Sequence, residues 1–85
     1  MVNYFMFYYI YVLKSDKDNK LYVGYTENLK NRIEQHNSGL VSSTKHRRPV
    51  ELVYFEGCLN KNNAIAREKQ LKTGFGRRYL KGRIS

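Results

Sequence analysis

Residues 7–13 read Phe-Tyr-Tyr-Ile-Tyr-Val-Leu, and this aromatic and β-branched run decides the fold. It lacks polar alternation, which is typical of a strand that is covered on both faces. Residues 15–20 follow as a polar turn, and residues 21–25, Leu-Tyr-Val-Gly-Tyr, have the composition of a second strand. The two runs therefore predict a β-hairpin at the start of the fold.

A helix and a third strand are predicted after the hairpin. Thr26 is the expected N-cap of a helix that runs to Asn37 and stops at Ser38 and Gly39. Residues 39–49 form a polar, basic loop. Residues 50–55, Val-Glu-Leu-Val-Tyr-Phe, then predict the third strand.

Two more helices are predicted at the carboxyl end. Asn60 is expected to cap a helix over residues 61–73, and Gly74 to close it in the left-handed conformation. Residues 76–83 predict a short third helix. The element order is therefore β-β-α-β-α-α, in one domain over residues 1–85.

Length and composition exclude several classes of protein. The 85 residues are too few for a two-domain enzyme, and 41% hydrophobic residues argue against a disordered chain. The single cysteine, Cys58, excludes an internal disulfide and fits a reducing, cytoplasmic compartment. No run approaches the roughly 20 apolar residues of a membrane span, so no membrane partner is expected.

The net charge of +9 favours a polyanionic partner, because each phosphate that is neutralised releases counterions. Basic residues are concentrated in the middle loop and in residues 67–83, and aromatic residues lie among them. The alternative is a solvated basic surface that serves solubility. The candidate nucleic-acid-binding residues are Lys45, Arg47, Arg48, Arg67, Lys72, Arg77 and Arg78.

One carboxylate stands out because it lies on an apolar helix stripe. Glu68 is four residues from Ala64, and three from both Ile65 and Leu71, so it should face the protein body. A carboxylate in that position needs a cation, a hydrogen-bond network or a metal. The alternative partner is Lys72, four residues on, in a helical ion pair worth about 0.3–0.5 kcal/mol.

The first helix carries a second candidate pair. Arg32 and His36 are four residues apart, beside the apolar pair Leu29 and Ile33. Arginine is suited to clamp a phosphate, and His36 could donate a proton or contact a phosphate. The alternative is a surface arginine with a histidine near the helix end.

Tyrosines on the hairpin are the third candidates. Tyr9 and Tyr11 share one face of the first strand, and Tyr22 lies on the second strand. A phenol has a pKa near 10, so its use as a base at neutral pH demands roughly 4 kcal/mol unless cations assist. The alternative is that these tyrosines serve packing alone.

In this order, the motifs resemble the GIY-YIG nuclease superfamily. Its two tripeptides correspond to Tyr9-Ile10-Tyr11 and Tyr22-Val23-Gly24. The helix arginine and the histidine four residues later match Arg32 and His36, and the later helix glutamate matches Glu68. The resemblance covers residues 7–84 and is strongest to small stand-alone members.

The resemblance implies an α+β fold, a three-stranded antiparallel sheet flanked by helices. It also implies a DNA endonuclease that uses Mg²⁺ or Mn²⁺, bound weakly without substrate. Tyr11 would activate or position the attacking water, and Tyr22 would assist or act as the base. Arg32 would stabilise charge on the phosphate, His36 would be accessory, and Glu68 would be the metal ligand.

Two positions depart from the family pattern and one fits it. Tyr9 replaces the first glycine of the first tripeptide, and Tyr25 stands where some members have a lysine. Gly24 is expected to let backbone and phosphate approach closely.

The expected partner is DNA, possibly branched or otherwise structured, bound by a monomer or weak dimer. Two other functions stay open: a non-catalytic nucleic-acid-binding module on the same fold, and a protein-interaction domain with an incidental basic surface.

Overall fold

A computed structural model describes residues 6–84. The elements follow the predicted order, and the three-stranded antiparallel sheet with three helices confirms the α+β fold. A single 3₁₀ turn, Lys45–Arg47, lies in the loop before the last strand. The strands and helices are β1 Tyr8–Ser15, β2 Leu21–Thr26, α1 Leu29–Asn37, β3 Val50–Cys58, α2 Lys61–Leu71 and α3 Gly74–Ile84.

Strand β1 is the centre of the sheet, whose order is β2-β1-β3 with both pairs antiparallel. Residues 10–13 are at most 1% exposed, which confirms that this strand is covered on both faces. Tyr11 pairs with Gly24 on one side and with Phe55 on the other. A central tyrosine is thereby fixed by two neighbouring strands.

Each face of the sheet has its own apolar cluster. Ile10 and Val12 pack with Ala64 of α2 and with Leu71 and Leu80. Tyr11, Leu13 and Val50 form the second cluster, on which the half-buried side chains of Tyr22, Leu29 and Ile33 pack. Helix α1 is therefore held against the Tyr11 face, where its polar stripe can reach the sheet.

The predicted start of α1 was wrong. Asn28 is the N-cap, because its side-chain oxygen accepts a hydrogen bond of 3.0 Å from the Asn31 N–H. Thr26 ends β2 instead, and its hydroxyl accepts from the Asn28 N–H at 3.2 Å. The predicted stop holds, with Ser38 as C-cap and Gly39 at a φ of +80°.

The predicted end of α2 was also wrong. Asn60 caps the helix as expected, but the helix ends at Leu71 and Gly74 is the first residue of α3. The Thr73 hydroxyl accepts a hydrogen bond of 3.4 Å from the Gly76 N–H, and the Thr73 carbonyl accepts one of 3.0 Å from the Arg77 N–H. Because these bonds begin α3 directly after Thr73, α2 and α3 are joined by a tight corner.

None of the helices within residues 6–84 is long and apolar enough to span a membrane.

Candidate active site

The Tyr11 hydroxyl is the centre of a buried polar cluster. Tyr11 has no exposed surface, because β2 and β3 flank its strand and α1 covers its ring. Its oxygen lies 2.7 Å from Nε2 of His36 and accepts a hydrogen bond of 3.3 Å from Nε of Arg32. The α1 stripe predicted from sequence thus meets the central strand at this hydroxyl.

His36 links that hydroxyl to the loop after α1. Its ring is fully buried, and Nδ1 lies 2.7 Å from the Thr44 hydroxyl, which is also fully buried. Burial, and next the positive charge of Arg32, lower the pKa of His36 to about 4. The imidazole is therefore neutral at pH 7 and carries one N–H.

The position of that proton follows from the partners of Tyr11. An arginine has only donors, so the Tyr11 O–H, being buried, must donate to Nε2 of His36. Nδ1 then carries the proton and donates it to the Thr44 oxygen. A chain of hydrogen bonds therefore runs in one direction, in which Arg32 donates to Tyr11, Tyr11 to His36, and His36 to Thr44.

Tyr22 completes the aromatic part of the cluster. Its ring centroid lies 6.3 Å from that of Tyr11 and 5.1 Å from that of His36, in tilted and edge-on contacts. Tyr22 is half-buried, whereas Tyr11 and His36 are closed off from solvent. Of the two predicted tyrosines, Tyr22 is the one that solvent can reach.

Arg32 lies between the buried cluster and an open groove. Its Nη1 donates 3.0 Å to the Gln35 side chain, while Nε holds Tyr11. Arg32 and Gln35 line a groove of about 410 Å³ with Asn28 and Asn31. A guanidinium in this place can contact a bound anion without losing its hold on Tyr11.

Glu68 is mostly buried, with 17% of its side chain exposed, and Oε2 forms a salt bridge of 2.9 Å with Lys72. The predicted alternative of an i, i+4 ion pair therefore exists in the structure. Burial raises the pKa of Tyr11, the Arg32 hydrogen bond opposes that effect, and the neighbouring Tyr22 and, least of all, the charge of Glu68 add to it. Among the described residues, Lys72 is the one whose side chain contacts the Glu68 carboxylate through a polar atom.

The described residues contain no group of three or more His, Cys, Asp or Glu side chains that could hold a metal. A site for Mg²⁺ would rest on Glu68 as the single protein ligand. Such a donor set fits Mg²⁺, which keeps several waters and is often held by one carboxylate plus substrate phosphates. The Lys72 bridge is no obstacle, since the Lys72 side chain is half exposed and helical i, i+4 pairs contribute only about 0.3–0.5 kcal/mol.

Gly24 is needed for packing within the sheet. A Cβ at this position would collide with the Tyr11 ring and its hydroxyl, which lie across the β1–β2 pair. The glycine therefore makes room for the tyrosine, and the close approach of a phosphate stays a prediction.

Four of the predicted nucleic-acid-binding residues are engaged within the protein. Arg67 donates from Nε and Nη2 to the two Glu56 oxygens, at 2.9 and 2.8 Å, and its guanidinium lies 4.7 Å from the centre of the Tyr79 ring. Lys72 holds Glu68. The other two are Arg47, paired with Asp18 at 3.2 Å, and Arg48, which donates to the Lys45 carbonyl at 2.9 Å.

The other three predicted basic residues, Lys45, Arg77 and Arg78, are exposed, and so are Arg48 and Lys72.

Thr44 was missed by the sequence analysis. It lies in a loop without periodicity, and a threonine there gives no pattern that would single it out.

A three-stranded antiparallel sheet with three helices, which brings Tyr11, Arg32 and His36 into one hydrogen-bonded cluster, is the arrangement that the resemblance to GIY-YIG proteins implies. The family comparison agrees. A family model described as the GIY-YIG catalytic domain matches residues 7–81, so the chain belongs to the GIY-YIG family. GIY-YIG proteins are generally endonucleases that act on DNA and typically use a divalent metal, and membership points to a nuclease module.

Relatives of similar size carry the name UPF0213 protein. One from Pediococcus pentosaceus is 52% identical over 66 residues, covering 76% of this chain and 68% of the relative. Another from Staphylococcus haemolyticus is 47% identical over 75 residues, covering 87% and 90%. The solution NMR structure of a UPF0213 protein from Bacillus halodurans superimposes with a TM-score of 0.57 at 30% identity, covering 91% of this chain and 84% of that one.

Proposed function

We propose that this chain is a divalent-metal-dependent endonuclease module that hydrolyses phosphodiester bonds in DNA, with branched or otherwise structured DNA among its substrates. The observation that carries the proposal is the Tyr11 hydroxyl, held between Arg32 and His36. A tyrosine that is buried for packing also needs a hydrogen-bond partner, but it does not need an arginine that reaches an open groove. The same cluster sits beside a groove that Arg32 lines.

Arg32 stabilises the negative charge that builds up on the phosphate during hydrolysis. Its Nε is used by Tyr11 and its Nη1 by Gln35, and the described residues leave Nη2 without a partner. A guanidinium fixed at two of its nitrogens is preorganised, so it binds developing charge without reorganising. Arg32 therefore serves as a phosphate contact and as a support for Tyr11.

The two tyrosines have different tasks. Tyr11 has no exposed surface, donates to His36 and accepts from Arg32, so it positions the cluster. Tyr22 is half-buried and packs on the same imidazole, so its hydroxyl is the one that an attacking water can contact. Geometry supports Tyr22 as the phenol that orients or deprotonates the water.

Glu68 would hold the Mg²⁺ or Mn²⁺ ion, weakly until phosphate oxygens complete the coordination. When bound, the ion supplies Lewis-acid stabilisation of the phosphate and lowers the pKa of a coordinated water. The chain's own contribution is to keep the Glu68 carboxylate mostly out of bulk solvent. We place this activity in the cytoplasm, in a monomer or weak dimer.

A plasmid-nicking assay tests the proposal. Wild type should convert supercoiled DNA to the nicked form with Mg²⁺ or Mn²⁺ and not with EDTA. Arg32→Lys keeps the charge but loses the fork that holds Tyr11 and the phosphate together. It should bind DNA with similar affinity and nick at least about 100-fold more slowly.

A non-catalytic nucleic-acid-binding module is the second candidate, and the Lys72–Glu68 salt bridge favours it, because that bridge gives Glu68 a purely structural partner. Binding without nicking in either metal, for wild type and Arg32→Lys alike, would decide for this module and against the endonuclease.

A further inference from the structure

A second groove lies on the loop side of α1, apart from the one that Arg32 lines. Its volume is about 610 Å³, enough for a ligand the size of a nucleotide. The β1–β2 turn, the end of α1 and the 3₁₀ turn before β3 meet there. The lining residues are Lys17, Asn37, Lys45, His46, Arg48 and Pro49, and we call this the loop groove.

The loop groove is cationic. Lys17, Lys45 and Arg48 give three positive charges, and none of the described residues that line it is acidic. Asp16 and Asp18 flank Lys17 in the turn, but neither lines the groove. The Asp18 carboxylate forms a salt bridge of 3.2 Å with Arg47, and Asp16 is exposed to solvent.

The walls of the loop groove are tied together before any ligand binds. The Ser15 hydroxyl donates 2.6 Å to the Arg47 carbonyl, and the Asp16 N–H donates 2.9 Å to the Pro49 carbonyl. Nζ of Lys17 donates 3.2 Å to the His46 carbonyl. A cationic surface that is already ordered loses little conformational entropy when an anion binds.

The opposite wall is fixed to the sheet. The Asn37 side chain donates 3.0 Å to the Val50 carbonyl and accepts 3.0 Å from the Val50 N–H. Asn37 directly follows His36, and Lys45 directly follows Thr44. Each residue of the hydrogen-bonded His36–Thr44 pair is therefore followed in the chain by a residue that lines the loop groove. Two chain segments thus connect the loop groove to the candidate active site.

The basic residues at the carboxyl end offer a weaker alternative. Lys14, Arg77 and Lys81 line a groove of about 210 Å³, but Leu21, Leu80 and Ile84 line it too. That groove is a third of the size, and three of its seven lining residues are apolar. The two grooves carry equal numbers of cations, but the larger volume and the polar lining favour the loop groove as the anion site.

We propose that the loop groove binds the phosphodiester backbone of the DNA next to the scissile phosphate, with Lys17, Lys45 and Arg48 as its contacts. This inference rests on the proposed function for the identity of the DNA substrate. The groove explains why basic residues accumulate in a loop that contributes no cation to the Tyr11 cluster. Backbone contacts of this kind fix the register of the duplex and carry no sequence preference.

Fluorescence anisotropy with a short labelled duplex in EDTA tests the proposal without any cleavage. The double variant Lys17→Gln/Lys45→Gln removes two exposed charges from the groove. The matched control, Lys30→Gln/Lys69→Gln, removes two exposed charges of α1 and α2 that do not line it. Between about 50 and 200 mM salt, the groove variant should lower the slope of log K against log salt by about 2 and weaken binding roughly tenfold. The control should stay within about twofold of wild type.

Equal losses in both variants, or none in the groove variant, would overturn the assignment. So would loss of binding to phosphatidylglycerol vesicles with unchanged DNA binding, since the groove would then serve a lipid surface. The nicking assay separates the two claims. If wild type nicks DNA and the groove variant binds DNA as well as wild type does, only the loop-groove assignment is wrong. If the groove variant binds DNA more weakly and wild type does not nick it, only the proposed endonuclease activity is wrong.

Discussion

At the scale of single residues, the directed hydrogen bonds through His36 explain how polar groups survive in the core. Tyr11, His36 and Thr44 have no exposed surface, yet each polar atom of the first two has a partner. An unsatisfied buried donor or acceptor would destabilise the fold by about 1–3 kcal/mol. The hydrogen bonds therefore fix the position of Tyr11 and leave no polar atom of Tyr11 or His36 buried without a partner.

The neutrality of His36 predicts a pH dependence of stability. Its pKa is lowered from 6.5 to about 4 in the folded state, so the unfolded chain binds more protons between these values. Stability is thus fully present above pH 6.5 and is lost as the pH falls towards 4. Urea denaturation should give a free energy of unfolding about 2 kcal/mol lower at pH 5 than at pH 7 from this group.

His36→Gln is the control for that measurement, because it keeps hydrogen-bonding capacity without a titrating ring. Its stability should change less between pH 7 and pH 5 than that of wild type. The ring proton of His36 in NMR gives an independent reading in the unaltered protein. A midpoint near 6.5 would contradict the neutral, hydrogen-bonded imidazole.

At the scale of elements, the α2–α3 corner holds the carboxyl-terminal third against the sheet. Gly76 lies so close to the backbone of Leu71 that a Cβ would collide with it. Nearby, the Arg67–Glu56 ion pair joins α2 to β3. The guanidinium groups of Arg67 and Arg83 both lie over the Tyr79 ring of α3, at 4.7 and 4.8 Å from its centre. These contacts set the position of α2, and therefore of the carboxylate that it carries.

Two glycines of α3 provide a matched test of the corner. Gly76→Ala should destabilise the protein by about 1–3 kcal/mol, since the added methyl forces the α2 and α3 backbones apart. Gly82→Ala has nothing within 4 Å of the new Cβ and should stabilise by about 0.5–1 kcal/mol through helix propensity. Thermal unfolding followed by circular dichroism measures both, and similar shifts in the two variants would refute the close contact.

The elements also show how far the sequence could be read. The hairpin, the α1 stripe and the Asn60 cap follow local rules, so their prediction held. Local rules failed at Gly74, where the Thr73 bonds start a helix, and they could not find the Glu56 partner of Arg67, which depends on how α2 packs on β3. Thr44 likewise acquires meaning only through the fold that brings it to His36.

At the scale of the whole molecule, the sheet brings the candidate site together from distant parts of the chain. β1 contributes Tyr11, β2 contributes Tyr22, and α1 contributes Arg32 and His36. In the proposed function, α2 adds Glu68 as the metal ligand. The net charge of +9 favours a polyanionic partner. The loop groove and the Glu68 carboxylate belong to different elements, so the proposals for binding and for chemistry can be tested separately.

The central claim is that Glu68 is a metal ligand and not merely the partner of Lys72. The most direct measurement is the metal dependence of DNA nicking for Glu68→Gln and for Lys72→Gln, which remove opposite halves of one salt bridge. At saturating DNA, Glu68→Gln should nick at least about 100-fold more slowly at every Mg²⁺ or Mn²⁺ concentration. Lys72→Gln should keep the wild-type rate and reach it at no higher metal concentration. Equal behaviour of the two variants, whether both active or both impaired, would contradict the account.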